Sequence, residues 1–203
     1  MQRRKRLDFK DNKELFLSIC RREIQREGRD ELLDYLEKSD FFTAPASTKH
    51  HGAYTGGLCE HSLNVYNELV KLVDLYLPFG GVSPESVAII ALFHDLCKVN
   101  SYTIEKKNRK NSDGKWETYD GYTFNEKFSF GGHGSKSVFI IQKYMALTAE
   151  EGASINAHMS CWNGDTSVGK TYEQFPFAWL THVADEAATF IIEAKKGGTE
   201  NGT

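Results

Sequence analysis

The chain predicts an all-α fold, a helical bundle of about seven helices with one β-hairpin inserted, and three observations carry that prediction. Apolar residues recur at helical spacing along most of its 203 residues, caps and breakers divide those stripes into helix-length pieces, and one stretch alone changes to Thr, Tyr and Trp alternating with charges. Asp11 or Asn12 caps a first helix over about 13–26, with Leu15, Phe16, Ile19 and Ile24 on one face and Gly28 as its stop. A short second helix covers about 30–38. Residues 41–57 are irregular, punctuated by Pro45, Gly52, Gly56 and Gly57. A helical stripe through Leu58, Leu63, Leu69 and Val73 then runs to about 77 and is stopped by Pro78 and Gly80-Gly81.

Ser83 with Pro84 behind it opens a helix of about 84–97 that is apolar on nearly every face and therefore buried. Residues 101–130 read as the hairpin, turning at Ser112-Asp113-Gly114. A helix over about 135–145 follows the Gly131-Gly132 pair, and Thr148 with Glu151 forms a capping box for the next, about 149–159. After a polar loop holding Gly164 and Gly169, Pro176 starts a last long helix to about Lys195, and 196–203 is a frayed tail.

With 40% hydrophobic and 26% charged residues the composition is that of a globular chain, read as one domain: N-terminal helices over 1–49, a core over 50–195 and the tail. Twenty-five basic against 28 acidic residues give a net charge of -3, which excludes binding nucleic acid by bulk electrostatics. The basic start, Arg3 to Arg6, is followed by no apolar core of a leader peptide. The longest apolar run, Val87 to Phe93, falls far short of the ~20 residues that span a bilayer, so no membrane partner is expected. Cys20, Cys59, Cys97 and Cys161 form no C-x-x-C, and the expected setting is a reducing cytoplasm.

The residues able to do chemistry are His61, the adjacent pair His94-Asp95, His133, His158 and Asp185, each on or beside the end of a predicted helix. A helical bundle can bring such positions together in its core. Imidazole and carboxylate suit Mn, Fe, Co, Ni or Zn rather than Ca, and a carboxylate can bridge two ions. One or two divalent ions are therefore expected, since burying an imidazole beside a carboxylate among Ala88 to Phe93 is costly unless a cation compensates both.

Gly56-Gly57-Leu58-Cys59-Glu60-His61-Ser62, followed by Phe93-His94-Asp95-Leu96-Cys97-Lys98, resembles the HD superfamily of metal-dependent phosphohydrolases. The approach His50-His51-Gly52-Ala53-Tyr54-Thr55 is most similar to the HD domain of bacterial 3′-to-5′ exoribonucleases. That resemblance implies one metal site of His61, His94, Asp95 and Asp185 and a second of Asp95, His133 and His158, with Asp95 as the bridge. It implies attack on phosphorus by a metal-activated hydroxide, with Lys98 beside Asp95 as a catalytic or substrate-orienting residue. The loop residues His50, His51 and Tyr54 are expected to meet substrate, and His182, one turn before Asp185, to meet substrate or orient that aspartate. Cys97, two residues past Asp95, is expected to point away from the metals.

The expected activity is hydrolysis of a phosphoester in a nucleotide or a short single-stranded nucleic acid. The hairpin, mixing Lys106, Lys107, Arg109 and Lys110 with Tyr102, Trp116, Tyr119 and Tyr122, stands at the mouth of the site as a possible substrate reader. The first 50 residues, two helices, cannot be the oligonucleotide-binding domain that accompanies those exoribonucleases, which favours a small substrate. The same ligand set is also similar to the di-iron oxygenases of the superfamily, the alternative chemistry. A non-catalytic nucleotide-binding module is the third reading.

Overall fold

The structure is a computed structural model describing residues 9–77, 81–163 and 166–194. The basic N-terminal start, the stop at Pro78 and Gly80, Gly164 and the tail at 196–203 lie outside the described residues.

Eight α-helices and one hairpin make up the described fold. In chain order they are α1 (Phe9–Glu23), α2 (Arg29–Lys38), α3 (Gly57–Tyr76), α4 (Pro84–Phe93), β1 (Tyr102–Lys110), β2 (Trp116–Phe124), α5 (His133–Ile141), α6 (Ala149–Ala157), α7 (Val168–Gln174) and α8 (Pro176–Ala187). A π-helical segment, Ala188–Glu193, continues α8. No helix among these residues is long and apolar enough to cross a membrane.

α4 is the centre of the bundle because every residue from Val87 to Phe93 is buried. Ser83 Oγ accepts from Ser86 N and Pro84 sits at the first helical position, as that sequence requires. α3 lies against α4, α1 and α8, and α6 lies against α8, α5 and α4. Phe16 of α1 closes one end of the core, its ring 5.0 Å from Phe41, 5.6 Å from Phe42 and 6.0 Å from Phe93.

The capping box of α6 forms as expected, with Glu151 N donating to Thr148 Oγ1 and Thr148 N to Glu151 Oε2. Glu151 is fully buried and also receives Arg26 in a bidentate pair and Ser86 Oγ at 2.7 Å, so one carboxylate ties the link between α1 and α2 and the start of α4 to α6. Burial would raise its pKa, and the Arg26 guanidinium and its other donors hold it below the usual value.

Several boundaries differ from the sequence reading. α1 runs Phe9–Glu23 rather than 13–26, so Asp11 and Asn12 lie within it instead of capping it, and Gly28, with a φ of 88°, is the N-cap of α2. α5 ends at Ile141 rather than 145. α4 ends at Phe93 instead of 97, because the amide of Cys97 is taken by Ser137 Oγ at 3.0 Å and that of Lys98 by Asp95 O, closing a short 3-10 turn over Leu96–Lys98. α5 starts two residues early, at His133, where Lys136 N reaches Gly132 O at 3.1 Å. α7 occupies what reads as a polar loop.

The hairpin pairs antiparallel in one register from Tyr102↔Phe124 to Lys110↔Trp116. Asn111 Oδ1 accepts from Asp113 N and Lys115 N, and Gly114 takes a φ of 76° to close the turn. Only its base meets the bundle: Tyr102 Oη donates to Ala46 O at 3.2 Å, and Tyr122 Oη pairs with Thr55 Oγ1 at 3.2 Å.

Candidate metal centre

Two helices end at histidines, and the helix ends fix their chemistry. His94 is the C-cap of α4 and His158 the C-cap of α6. The last carbonyls of a helix lack partners within it. Here the imidazoles serve two of them, His94 Nδ1 donating to Ala91 O at 2.9 Å and His158 Nδ1 to Ile155 O at 2.7 Å. A carbonyl only accepts, so each ring carries a proton on Nδ1 and turns Nε2 toward the site. Both Nε2 atoms are buried without a hydrogen-bond partner, and the rings stand nearly perpendicular with centroids 4.9 Å apart.

The third histidine comes from the first turns of α3, placed by the Gly-Gly pair before it. Gly56 takes a φ of 82°, open to glycine, and a β-carbon on Gly57 would fall 2.0 Å from Gly52 O. That approach folds the His50–His51 loop against the start of α3. His61 then directs Nε2 to Asp185 Oδ1 at 3.1 Å and to Asp95 Oδ2 at 3.7 Å. Asp95 is shared, with Oδ2 3.4 Å from His94 Nε2 and 2.6 Å from Lys98 Nζ, and Oδ1 3.7 Å from His158 Nε2.

The donor atoms of His61, His94 and Asp95 lie within 4.8 Å of one another, as do those of His94, His158 and Asp185. His133, which is exposed, gathers instead with Asp95 and Cys97. The expected first set is therefore drawn together around His94, whereas His158 gathers with His94 and Asp185, its Nε2 also 3.7 Å from Asp95 Oδ1, and His133 gathers with Asp95 and Cys97. Cys97 turns inward, its Sγ 3.9 Å from Asp95 Oδ1, contrary to the expectation that it faces away. It does so because residues 95–98 form a tight turn rather than a further turn of α4. Burial and then Asp95 push its thiol up to about 12, so it stays protonated at neutral pH.

Burial would raise Asp95, but the Lys98 ammonium and the His94 and His158 rings hold it well below the usual carboxylate range. Asp185 is likewise depressed against burial, by His61 first. Burial would lower His61, yet the carboxylates of Glu193 and Asp185 hold it up at about 10. Burial and then the facing His94 ring hold His158 at about 4, and burial and then His61 hold His51 at about 4. Two ionised carboxylates thus face the Nε2 atoms of His94 and His158, which are buried without hydrogen-bond partners. Leaving a buried polar atom unsatisfied costs about 1–3 kcal/mol, and a divalent transition ion would compensate an imidazole nitrogen and a carboxylate together. The residues present fit such an ion.

Glu193 is the site residue that the sequence reading passes over. It is buried, with Oε1 3.0 Å from His61 Nδ1 and 2.9 Å from Asn64 Nδ2. It fixes His61 from behind, as carboxylates commonly fix metal-bound histidines. Its one sequence signal is an acid ending the apolar run Phe190-Ile191-Ile192.

A cavity of about 400 Å³ opens on the cluster, lined by His50, His51, Asp95, Lys98, His133 and Asp185, and also by Met159, Trp162, Glu186, Thr189 and Phe190. A smaller hollow of about 220 Å³ shares Lys98 and His133 and is walled by Ala46, Tyr102 and Phe124 from the hairpin base. His51 lies 4.9 Å ring to ring from His61. Tyr54 donates to Glu60 Oε2 at 3.0 Å and is not among the lining residues of either hollow. His182 sits behind the centre, its Nδ1 donating to His158 O at 2.8 Å and its ring stacked on Tyr172.

A family model for the HD domain matches residues 58–189, which takes in His61, His94, Asp95, His133, His158 and Asp185. The chain is also 35% identical over 79 residues to the dihydroneopterin 2′,3′-cyclic phosphate phosphodiesterase of Methanocaldococcus jannaschii. That stretch is 38% of this chain and spans 29% of the length of the relative. No solved structure matches.

Proposed function

The chain belongs to the HD-domain family, and from that premise we propose that it is a metal-dependent phosphohydrolase acting on a phosphoester of a nucleotide or a short single-stranded nucleic acid. The observation that carries the reading is the pair of buried, unpartnered Nε2 atoms of His94 and His158 facing the ionised Asp95 and Asp185 at the base of a ligand-sized cavity. One or two ions of the Mn, Fe, Co, Ni or Zn type would be held by His61, His94, Asp95 and Asp185, with His158 and His133 extending the set. When bound, such an ion supplies a Lewis acid that lowers the pKa of water and neutralises phosphoryl oxygen charge.

The chain's own groups complete the site. Lys98, kept protonated by Asp95 against its burial, offers Nζ to a nonbridging phosphate oxygen from the cavity wall. Glu193 keeps the Nδ1 proton of His61 in place, and His182 holds the backbone of His158. His51, neutral and against His61, brings a ring nitrogen to the cavity without adding charge. His50, exposed at the same cavity, and His133 flank the path by which substrate enters. The named substrate of the relative, a 2′,3′-cyclic phosphate, is a small phosphodiester and supports a small substrate over a long strand.

Release of phosphate or nucleoside from a panel of nucleotide phosphoesters tests the reading. EDTA treatment, His94→Ala and Asp95→Ala should each abolish turnover, and full turnover after any of the three refutes it.

A further inference from the structure

Asp185 and Glu186 are consecutive on α8 and line the same cavity, but they serve different company. Asp185 belongs to the donor cluster with His94 and His158, while Glu186 is in none of the donor clusters among the described residues. Glu186 shares its part of the wall with Trp162 and Phe190, and the Trp162 indole N–H faces its carboxylate. Trp162 is 70% exposed and Phe190 62% exposed, although rings of this size ordinarily gain by burial. Two exposed rings and an acid lining a cavity beside the donor cluster form a surface suited to a flat polar ring.

We propose that this part of the cavity binds a heteroaromatic ring through a 2-amino-4-oxopyrimidine edge, the edge shared by guanine and pterins, with Glu186 as the residue that sets specificity. The inference rests on the reading that the phosphoester occupies the Asp95 and Lys98 side, which leaves the remainder of the same ligand at Glu186. An ionised carboxylate is an acceptor only, and it pairs most strongly with two parallel donors. The ring N–H and the adjacent exocyclic amino group of a 2-amino-4-oxopyrimidine are such a pair. Adenine and cytosine set an amino donor beside a ring acceptor, and uracil sets its N–H between two carbonyls, so each turns a lone pair toward one carboxylate oxygen. Trp162 and Phe190 supply faces on which any planar ring stacks, giving affinity without choice.

The test is binding of guanosine, inosine and adenosine 3′-monophosphates and of neopterin phosphate to the full chain, followed by calorimetry without turnover. Inosine lacks only the 2-amino group. The unmodified chain should bind the guanosine compound at least about tenfold tighter than the inosine one. In Glu186→Gln, which places an amide donor against that amino group, the ratio should fall to about one. Trp162→Ala should weaken both ligands together and leave the ratio in place. Tighter binding of neopterin phosphate than of guanosine monophosphate supports the same edge and identifies a pterin as its source. Equal binding of guanosine and inosine compounds, or adenosine bound as well as guanosine, overturns the proposal. Hydrolysis that proceeds with a ratio of one removes the ring assignment alone, and a preserved ratio in a chain that hydrolyses nothing removes the hydrolase reading alone.

Discussion

Replacing Gly134 with alanine tests whether the contact between α5 and α6 sets the geometry of the metal centre. Gly134 follows His133 in the first turn of α5, and an added β-carbon would fall 2.4 Å from Asn156 O and 2.5 Å from Ile155 O. Both are backbone atoms of α6 and cannot rotate aside. Ordinary contact begins near 3.4 Å, so the two helices must part by about an ångström. Overpacking of this kind costs about 1–3 kcal/mol, and exchanging a helical glycine for alanine returns about 1 kcal/mol. The net loss of up to about 2 kcal/mol should lower Tm by up to about 4–8 °C in a chain of this size, read by thermal denaturation. Ile155 O is also the acceptor that orients His158, so the same shift disturbs two candidate ligands. Metal affinity, read by titration against a competing chelator, should fall about tenfold. An unchanged or higher Tm together with unchanged metal affinity would refute the argument that the glycine exists to let these helices touch.

Removing the carboxylate behind His61, by Glu193→Ala, should weaken divalent-metal binding about 10–100-fold while the helical circular dichroism spectrum is kept; full affinity would show that His61 needs no support from behind. The Glu151 network predicts an acid-sensitive fold. Its folded pKa lies below the ordinary 4.5, so its stabilisation is complete above pH 4.5 and is lost as pH falls through the depressed folded value. Unfolding free energies from urea titrations of the unmodified chain and of Glu151→Gln should therefore differ by about 3 kcal/mol near neutrality and converge on acidification. A gap that stays constant down to pH 3 would contradict this.

Local chemistry made several elements legible from sequence. Ser83-Pro84 and Thr148 with Glu151 act on their own neighbouring amides, and both starts form as read. α4 was legible as buried because its apolar residues cover every face. The far end of that helix was not, because Leu96 and Cys97 continue the apolar run while the capture of the Cys97 amide by Ser137, 40 residues away, is a tertiary contact. α7 carries no buried residue, so no apolar stripe announces it. The candidate ligand types stood out because imidazole and carboxylate are rare in apolar helices, but which donors His158 and His133 gather with is a matter of helix packing that spacing along the chain does not encode. Glu193 was hidden by the π-helical segment, since a constant 3.6-residue period fails to carry the phase of Asp185 forward to it.

The two histidines at the ends of α4 and α6 have a consequence in entropy and in timing. Ordering a free side chain costs up to about 2 kcal/mol, and in a site assembled by its ion that cost falls on the binding step. Here Ala91 O and Ile155 O immobilise both imidazoles when their helices form. The loss of rotamer freedom belongs to folding, so an ion bound as proposed would meet imidazoles that are already still. Ions that favour different ligand arrangements would thereby be presented with one frame, and a departing ion would leave that frame standing for the next.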